Sequence, residues 1–119
     1  MTSISLTLTA RQWATVDACM DNLVSIAVVK GEDVSLPRSI RQAGWDQIPW
    51  VGESRLWPPM AQLVTIDLSL EQWQLAVSRL RHDEPVYECL GDAESANLDR
   101  DAREAITTQL SARGLSSDQ

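Results

Sequence analysis

Hydrophobic and polar residues alternate in two short segments of the chain, ISLTL at residues 4–8 and VTIDL at residues 64–68. Alternation with a period of two predicts a strand that buries one of its faces. Both segments belong to a longer repeat, because residues 4–13 (ISLTLTARQW) align without gaps on residues 64–73 (VTIDLSLEQW). The repeat predicts two copies of one structural unit, for which gene duplication is the natural explanation.

The strand in each copy is followed by the signature of a helix N-terminus. Thr9 stands three residues before Gln12, and Ser69 stands three residues before Gln72. In such a capping box the hydroxyl accepts a hydrogen bond from the third amide, and the glutamine reaches back to the amide of the cap residue. Each copy therefore predicts a strand, an abrupt stop and a helix.

Apolar residues at spacings of three and four continue beyond both capping boxes and predict one helix in each copy. The second of these helices is predicted to stop at Pro85, because proline lacks the amide that a helix interior needs. The β-branched run VSIAVV at residues 24–29 fits either the end of the first helix or a separate strand. The Lys30-Gly31 pair that follows favours the helix.

Two further helices are predicted from local signals. One begins after Ser35, has Pro37 in its first turn and runs to about Gln47. The other is capped by Asn97, carries an apolar stripe and ends where Gly114 supplies the left-handed position. The chain therefore predicts an α+β fold of internally duplicated β-α-α units, with the two repeat strands paired as a small antiparallel sheet that is covered by about four helices.

A length of 119 residues fits a single domain, 1–119. The repeat halves span about 3–47 and 63–114, a connection rich in tryptophan and proline covers 48–62, and 115–119 are expected to be frayed. A sheet of two strands has two open edges, which favours a homodimer through the strand edges.

The connection and the residues just before it contain three of the five tryptophans. Trp45 follows Ile40 and Arg41 at helical spacing and is expected to belong to the core. Trp50 and Trp57 fit either a core role or a partner-binding role, since tryptophan is enriched in interface hot spots. Arg55 is close enough in sequence to stack on either ring.

The net charge of −7 is concentrated in residues 83–104, which hold eight acidic residues and two arginines. This segment fits either a solvated face or a docking surface for a basic partner. An acidic balance disfavours nucleic-acid binding through phosphates. The candidate partner-binding residues are Trp50, Arg55, Trp57, Asp83, Glu84, Glu88, Asp92 and Glu94.

The sequence offers little catalytic chemistry. His82 is the only histidine, and Cys19 and Cys89 are the only cysteines, so a zinc site would lack ligands. We interpret both cysteines as reduced structural thiols, and we expect no catalytic residues, no metal, no cofactor and no enzymatic activity. No apolar run approaches the length of about 20 residues that spans a bilayer, and the N-terminal residues do not resemble a signal peptide. A cytoplasmic protein without membrane contact is therefore expected.

The leading hypothesis is a small acidic protein-interaction module of bacterial or phage type that binds another protein. Within this class, an immunity-protein or inhibitor role against a basic partner fits best. One alternative is a structural or assembly subunit that self-associates. Another is a small-ligand binder that uses Trp50 and Trp57 as a stacking clamp.

Overall fold

The computed structural model describes residues 2–118. Its elements follow in the order β1 (Ile4–Thr9), α1 (Ala10–Lys30), α2 (Ser35–Gln47), β2 (Leu63–Leu68), α3 (Leu70–Cys89) and α4 (Ala93–Ala112). β1 and β2 form a two-stranded antiparallel sheet. The predicted α+β class and the pairing of the two strands are confirmed, whereas the duplication remains a prediction.

Both capping boxes form as predicted, and each turns a strand directly into a helix. The Thr9 hydroxyl accepts from the Gln12 amide at 3.1 Å, and the Gln12 side chain accepts from the Thr9 amide at 2.9 Å. The corresponding distances for Ser69 and Gln72 are 3.2 and 2.8 Å. Because the side chains satisfy the first free amides of each helix, α1 and α3 begin one residue after the cap.

The pairing of the strands is symmetric with respect to the sequence repeat. Leu6 lies opposite Ile66, and the repeat offset of 60 makes these two residues equivalent. The register stays the same when the two strands are interchanged. The strands are therefore related by an approximate two-fold axis that passes through this pair. The indole rings of Trp13 and Trp73, which are also equivalent, meet edge to face with their centroids 6.2 Å apart.

Glutamine side chains cover both outer edges of this sheet. Gln109 of α4 accepts from the Thr7 amide at 2.9 Å and donates to the Thr7 carbonyl at 2.7 Å. On the other edge, Gln47 of α2 makes the same pair of bonds to Asp67, at 2.7 and 3.0 Å. Each side chain occupies the groups that a neighbouring strand would use. A homodimer through either strand edge would therefore have to displace the glutamine on that edge.

The core lies between the sheet and the helices and contains the buried faces of both strands. Trp13 and Trp73 are its largest fully buried side chains. Trp13 packs directly on Gly44 of α2, where an added Cβ would lie 2.4 Å from the indole ring. This close approach requires glycine at position 44 and brings α2 against α1.

Residues 24–29 belong to α1, which confirms the helical interpretation of that segment. The predicted stop of α3 at Pro85 is wrong, because α3 continues to Cys89. Arg100 of α4 bonds Glu84 at 2.6 Å and Glu88 at 3.0 Å, on either side of the proline. These tertiary contacts hold α3 in its helical conformation past the residue that cannot donate.

The predicted start of α4 at Asn97 is also wrong. Asp92 caps this helix instead, since its carboxylate accepts from the Ser95 amide at 3.0 Å and from the Ser95 hydroxyl at 2.7 Å. At the other end, Gly114 adopts the expected left-handed conformation, with a φ of 71°.

The final described residues contact α3, and the fraying of 115–119 stays a prediction. Gln74 donates to the carbonyl oxygens of Ser116 and Asp118, and Arg81 pairs with the Asp118 carboxylate at 3.1 Å. Gln119 lies outside the described residues. Within residues 2–118, none of the helices has the length and apolar character needed to cross a bilayer.

Candidate functional site

A pocket of about 410 Å³ opens between α1, α3 and α4. Three of its lining residues, Cys19, Asp83 and Asp99, are buried, and we call these three its floor. Apolar side chains form much of its walls, and they are Ala14, Ala18, Met60 and Leu98. Arg11, Thr15, Tyr87 and Ser95 complete the lining. Apolar walls with a few convergent polar groups are typical of small-molecule sites. We call this region the acidic pocket.

Asp83 is only 6 % exposed, and its charge is compensated by neighbouring residues. The Arg79 guanidinium lies 3.3 Å from its Oδ1 atom, and Nδ1 of His82 lies 3.0 Å from the same oxygen. The Cys19 thiol donates to Oδ2 at 3.4 Å. Asp83, one of the predicted partner-binding residues, is thus buried, because it continues the buried stripe of α3 into the protein.

Asp99 is also 6 % exposed, but it lacks such compensation. Among residues 2–118 no group donates a hydrogen bond to its carboxylate, and its Oδ2 atom is completely buried. Burial, followed by the negative charges of Asp83 and Glu84, raises the pKa of Asp99 to about 7 from its ordinary value of 3.8. Near neutral pH this carboxyl group is poised between its two protonation states.

Two further groups in the acidic pocket, the Cys19 thiol and the Tyr87 phenol, stay neutral. Burial and the nearby Asp83 carboxylate raise the pKa of the Cys19 thiol, so this thiol remains protonated. Burial and the charge of Asp99 raise the pKa of the Tyr87 phenol as well. A protonated thiol is a poor nucleophile. The Cys19 thiol is therefore not activated as a nucleophile.

Two predicted partner-binding acids, Glu84 and Glu88, are engaged within the chain. Although burial opposes the ionisation of Glu84, hydrogen bonds from Arg100 and Arg103 lower its pKa. Arg100 also bonds the exposed Glu88. These contacts join α3 to α4, and they balance the negative charges of Glu84 and Glu88.

The outer face of α4 carries the remaining acidic charge. Glu94, Asp101 and Glu104 are exposed there, and no ion pair within residues 2–118 involves them. Asp92 is exposed at the helix start, where its bonds to Ser95 lower the pKa of its carboxyl group. Of the predicted acidic candidates, only Glu94 and Asp92 lie on an open surface without an arginine partner.

The three tryptophans of the connection stack on one another at a separate location. Trp50 lies between Trp45 and Trp57, with ring centroids 4.6 and 4.8 Å away. The Trp50 indole also donates to the Trp45 carbonyl at 2.9 Å. Trp50 and Trp57 are half-buried against the core. Such short separations leave no space for a ligand ring between Trp50 and Trp57.

Trp45 is 43 % exposed, so the expectation that it belongs to the core is wrong. Gly44 occupies the inward position beneath Trp13, and the next residue of α2 consequently points outwards. Arg55 is exposed in the turn between Val51 and Leu56, with a left-handed φ of 51°. Trp50, Arg55 and Trp57 therefore lie in the connection, whereas the acidic pocket lies between helices.

Sequence reasoning missed Cys19 and Asp99 as members of a pocket, although a signal was present. Asp99 lies three residues before Ala102 and seven before Ile106, so it extends the buried stripe of α4. Asp83 extends the stripe of α3 in the same way, three residues after Leu80. An acid on an apolar stripe is a candidate for a perturbed, functional group.

Within residues 2–118, no group of three or more histidine, cysteine, aspartate or glutamate side chains is arranged to hold a metal ion. Comparisons of the chain with protein-family models, curated proteins and solved structures found no match.

Proposed function

We propose that the protein is a non-enzymatic binding protein whose acidic pocket takes a small organic cation. In this proposal the Asp99 carboxylate binds an ammonium group of the ligand. The observation that carries it is the combination of an open pocket of about 410 Å³ with a buried carboxylate that receives no hydrogen bond from the described residues.

The physical argument concerns the free energy of an unpaired buried charge. A carboxylate removed from water without a partner loses several kcal/mol of solvation, as an order of magnitude. A ligand ammonium would restore the missing hydrogen bonds and supply the opposite charge. The apolar walls would accept the alkyl part of such a ligand.

Alkylamines test this proposal directly. Isothermal titration of the protein with butylammonium at about pH 8, where most of Asp99 is ionised, is expected to show binding. Asp99→Asn keeps the shape but removes the charge, and it is expected to weaken binding at least about tenfold, the cost of one charged hydrogen bond. Butanol, which has a similar shape and no charge, is expected to bind weakly to both proteins.

Asp101→Asn provides the matched control, because it makes the same chemical change two residues away on the exposed face of α4. Its affinity for butylammonium should equal that of the unmodified protein. Equal affinities of the unmodified protein and Asp99→Asn would contradict the proposal, as would the failure of butylammonium to bind at all.

A second candidate function is the protein-interaction module of bacterial or phage type, an immunity-like protein that binds a basic partner. The open charges of Glu94, Asp101 and Glu104 on α4 support this function. Oppositely charged surfaces accelerate association, and salt screens that effect. Binding of a lysine-rich peptide should therefore be lost in a Glu94→Gln, Asp101→Asn, Glu104→Gln variant.

The matched control for this function neutralises three exposed glutamates elsewhere, at positions 32, 53 and 71. It carries the same net charge as the α4 variant. If both triple variants lose the peptide equally, only net charge matters and the α4 face is not a specific docking surface.

A further inference from the structure

We infer that the ligand of the acidic pocket carries an anionic group as well as its ammonium, and that Arg11 binds this anionic group. This inference rests on the proposed function and names the class of ligand. The class consists of zwitterions whose two charges are separated by an apolar spacer, such as ω-amino acids and dipeptides.

The acidic pocket runs along one face of α1 between a basic end and an acidic floor. Arg11, Thr15 and Cys19 follow each other at spacings of four and all line the pocket. Eight residues of α-helix separate Arg11 from Cys19, which corresponds to about 12 Å along the axis. Met60 lies at the Arg11 end, since its carbonyl accepts from the Arg11 amide at 3.0 Å.

The Arg11 guanidinium is available for a ligand. Its side chain is exposed, and it makes no hydrogen bond or ion pair with any group in residues 2–118. Other arginines around α1, α3 and α4 are paired with carboxylates, and these are Arg41, Arg79, Arg100 and Arg103. A guanidinium has five donors in a fork that matches a carboxylate, so an open one at a pocket edge suits an anionic group.

The spacing of the two charges selects among zwitterions. A free α-amino acid holds its amine nitrogen only about 2.5 Å from its carboxylate carbon, which is short for a site that extends along about two turns of helix. A dipeptide adds one residue, about 3.8 Å, to this separation. Ala14 and Ala18 lie along the same wall and would contact the spacer between the charges.

A pair of probes that differ only in the carboxylate tests this inference. Isothermal titration at about pH 8 compares ε-aminocaproate with hexylamine, which keeps the ammonium and the chain. The unmodified protein is expected to bind ε-aminocaproate at least about tenfold more tightly, because a charge-assisted bidentate contact is gained. In Arg11→Gln this preference should disappear, while the affinity for hexylamine is retained.

Arg38→Gln is the matched control, because Arg38 is exposed on α2 and does not line the acidic pocket. It should leave both affinities unchanged. Equal binding of the two probes by the unmodified protein, or a preference that survives in Arg11→Gln, would overturn the inference while the cation site stands. If neither probe binds, the proposed function fails together with the inference.

Discussion

The two β-α-α units of the chain begin alike and end differently. In each, a short strand passes through a capping box into a long helix with a buried tryptophan near its start. The second helices differ, because α2 has 13 residues and leads into the tryptophan connection, whereas α4 has 20 residues and packs along α3. The acidic pocket uses both kinds of element, because it lies between the first helices of the two units, α1 and α3, and the long α4 of the second unit.

Equivalent positions in α1 and α3 show this division most clearly. With the repeat offset of 60, Cys19 corresponds to Arg79 and Leu23 corresponds to Asp83. The first unit thus has residues without charge where the second has an ion pair at 3.3 Å. The two helices therefore differ in charge beside the acidic pocket, which is lined by Cys19 of α1 and Asp83 of α3.

The contact between Trp13 and Gly44 belongs to the first unit, and its disruption should have the largest effect. Gly44→Ala is expected to lower the free energy of unfolding by about 2–3 kcal/mol, because the new methyl group would meet the indole at 2.4 Å. Urea denaturation followed by tryptophan fluorescence measures this loss.

The direction of the change in stability shows whether the close contact matters. Without that contact Gly44→Ala would stabilise the protein, because alanine in an unobstructed helix is about 1 kcal/mol more favourable than glycine. Gln42→Ala, on the exposed side of α2, serves as the control and should change stability by no more than about 0.5 kcal/mol. A stabilising Gly44→Ala would show that α2 does not depend on this close approach.

The glutamine contacts at the two sheet edges test whether the units are energetically alike. Gln47→Ala and Gln109→Ala each remove two hydrogen bonds to strand backbone. Each is expected to cost about 1–2 kcal/mol, and the two losses should add in the double variant because the two glutamines share no hydrogen-bond partner. Urea denaturation measures the losses.

The same variants expose a strand edge to solvent. Sedimentation of the double variant should therefore show more self-association than the unmodified protein does. Gln74→Ala, which loses only contacts to the C-terminal residues, is the control for the loss of a glutamine away from the sheet. A loss at only one edge would show that the units are alike in geometry but not in energy.

The sequence predicted the strands, the capping boxes and α2 correctly because their signals are local. Alternation and the spacing from Thr9 to Gln12 act within a few residues, and both units carry them. Pro85 was misjudged because the continuation of α3 depends on Arg100, a residue distant in sequence. Trp45 was misjudged because helical spacing gives no indication that Gly44 takes the inward place.

The candidate site was harder to predict, because a charged residue is assigned to the surface by default. Asp83 and Glu84 are adjacent in one acidic segment, yet the first lies at the floor of the acidic pocket and the second bonds two arginines. Their separation depends on how α3 packs against both α1 and α4. The membership of Cys19 in the pocket was equally hard to predict, because its thiol contacts Asp83, which is 64 residues away in the sequence.

The smallest predicted effect concerns two buried or half-buried aspartates, one in each unit. Asp17 pairs with Arg41 at 3.1 Å between α1 and α2, whereas Asp99 has no such partner. At about pH 8, Asp17→Asn should destabilise the protein and Asp99→Asn should stabilise it, each by about 1 kcal/mol. Urea denaturation at a series of pH values measures both changes.

The sign for Asp99 follows from its raised pKa. Between the ordinary value of 3.8 and about 7, the folded protein holds a proton that the unfolded chain has released. The free energy of unfolding therefore falls as the pH rises through this range, and this contribution to the fall should vanish in Asp99→Asn. Below about pH 4 both states hold the proton, so the stabilisation by Asp99→Asn should disappear. If Asp99→Asn instead raises the free energy of unfolding by the same amount at all pH values, the substitution acts through packing. The contrast between the paired Asp17 and the unpaired Asp99 would then not be electrostatic.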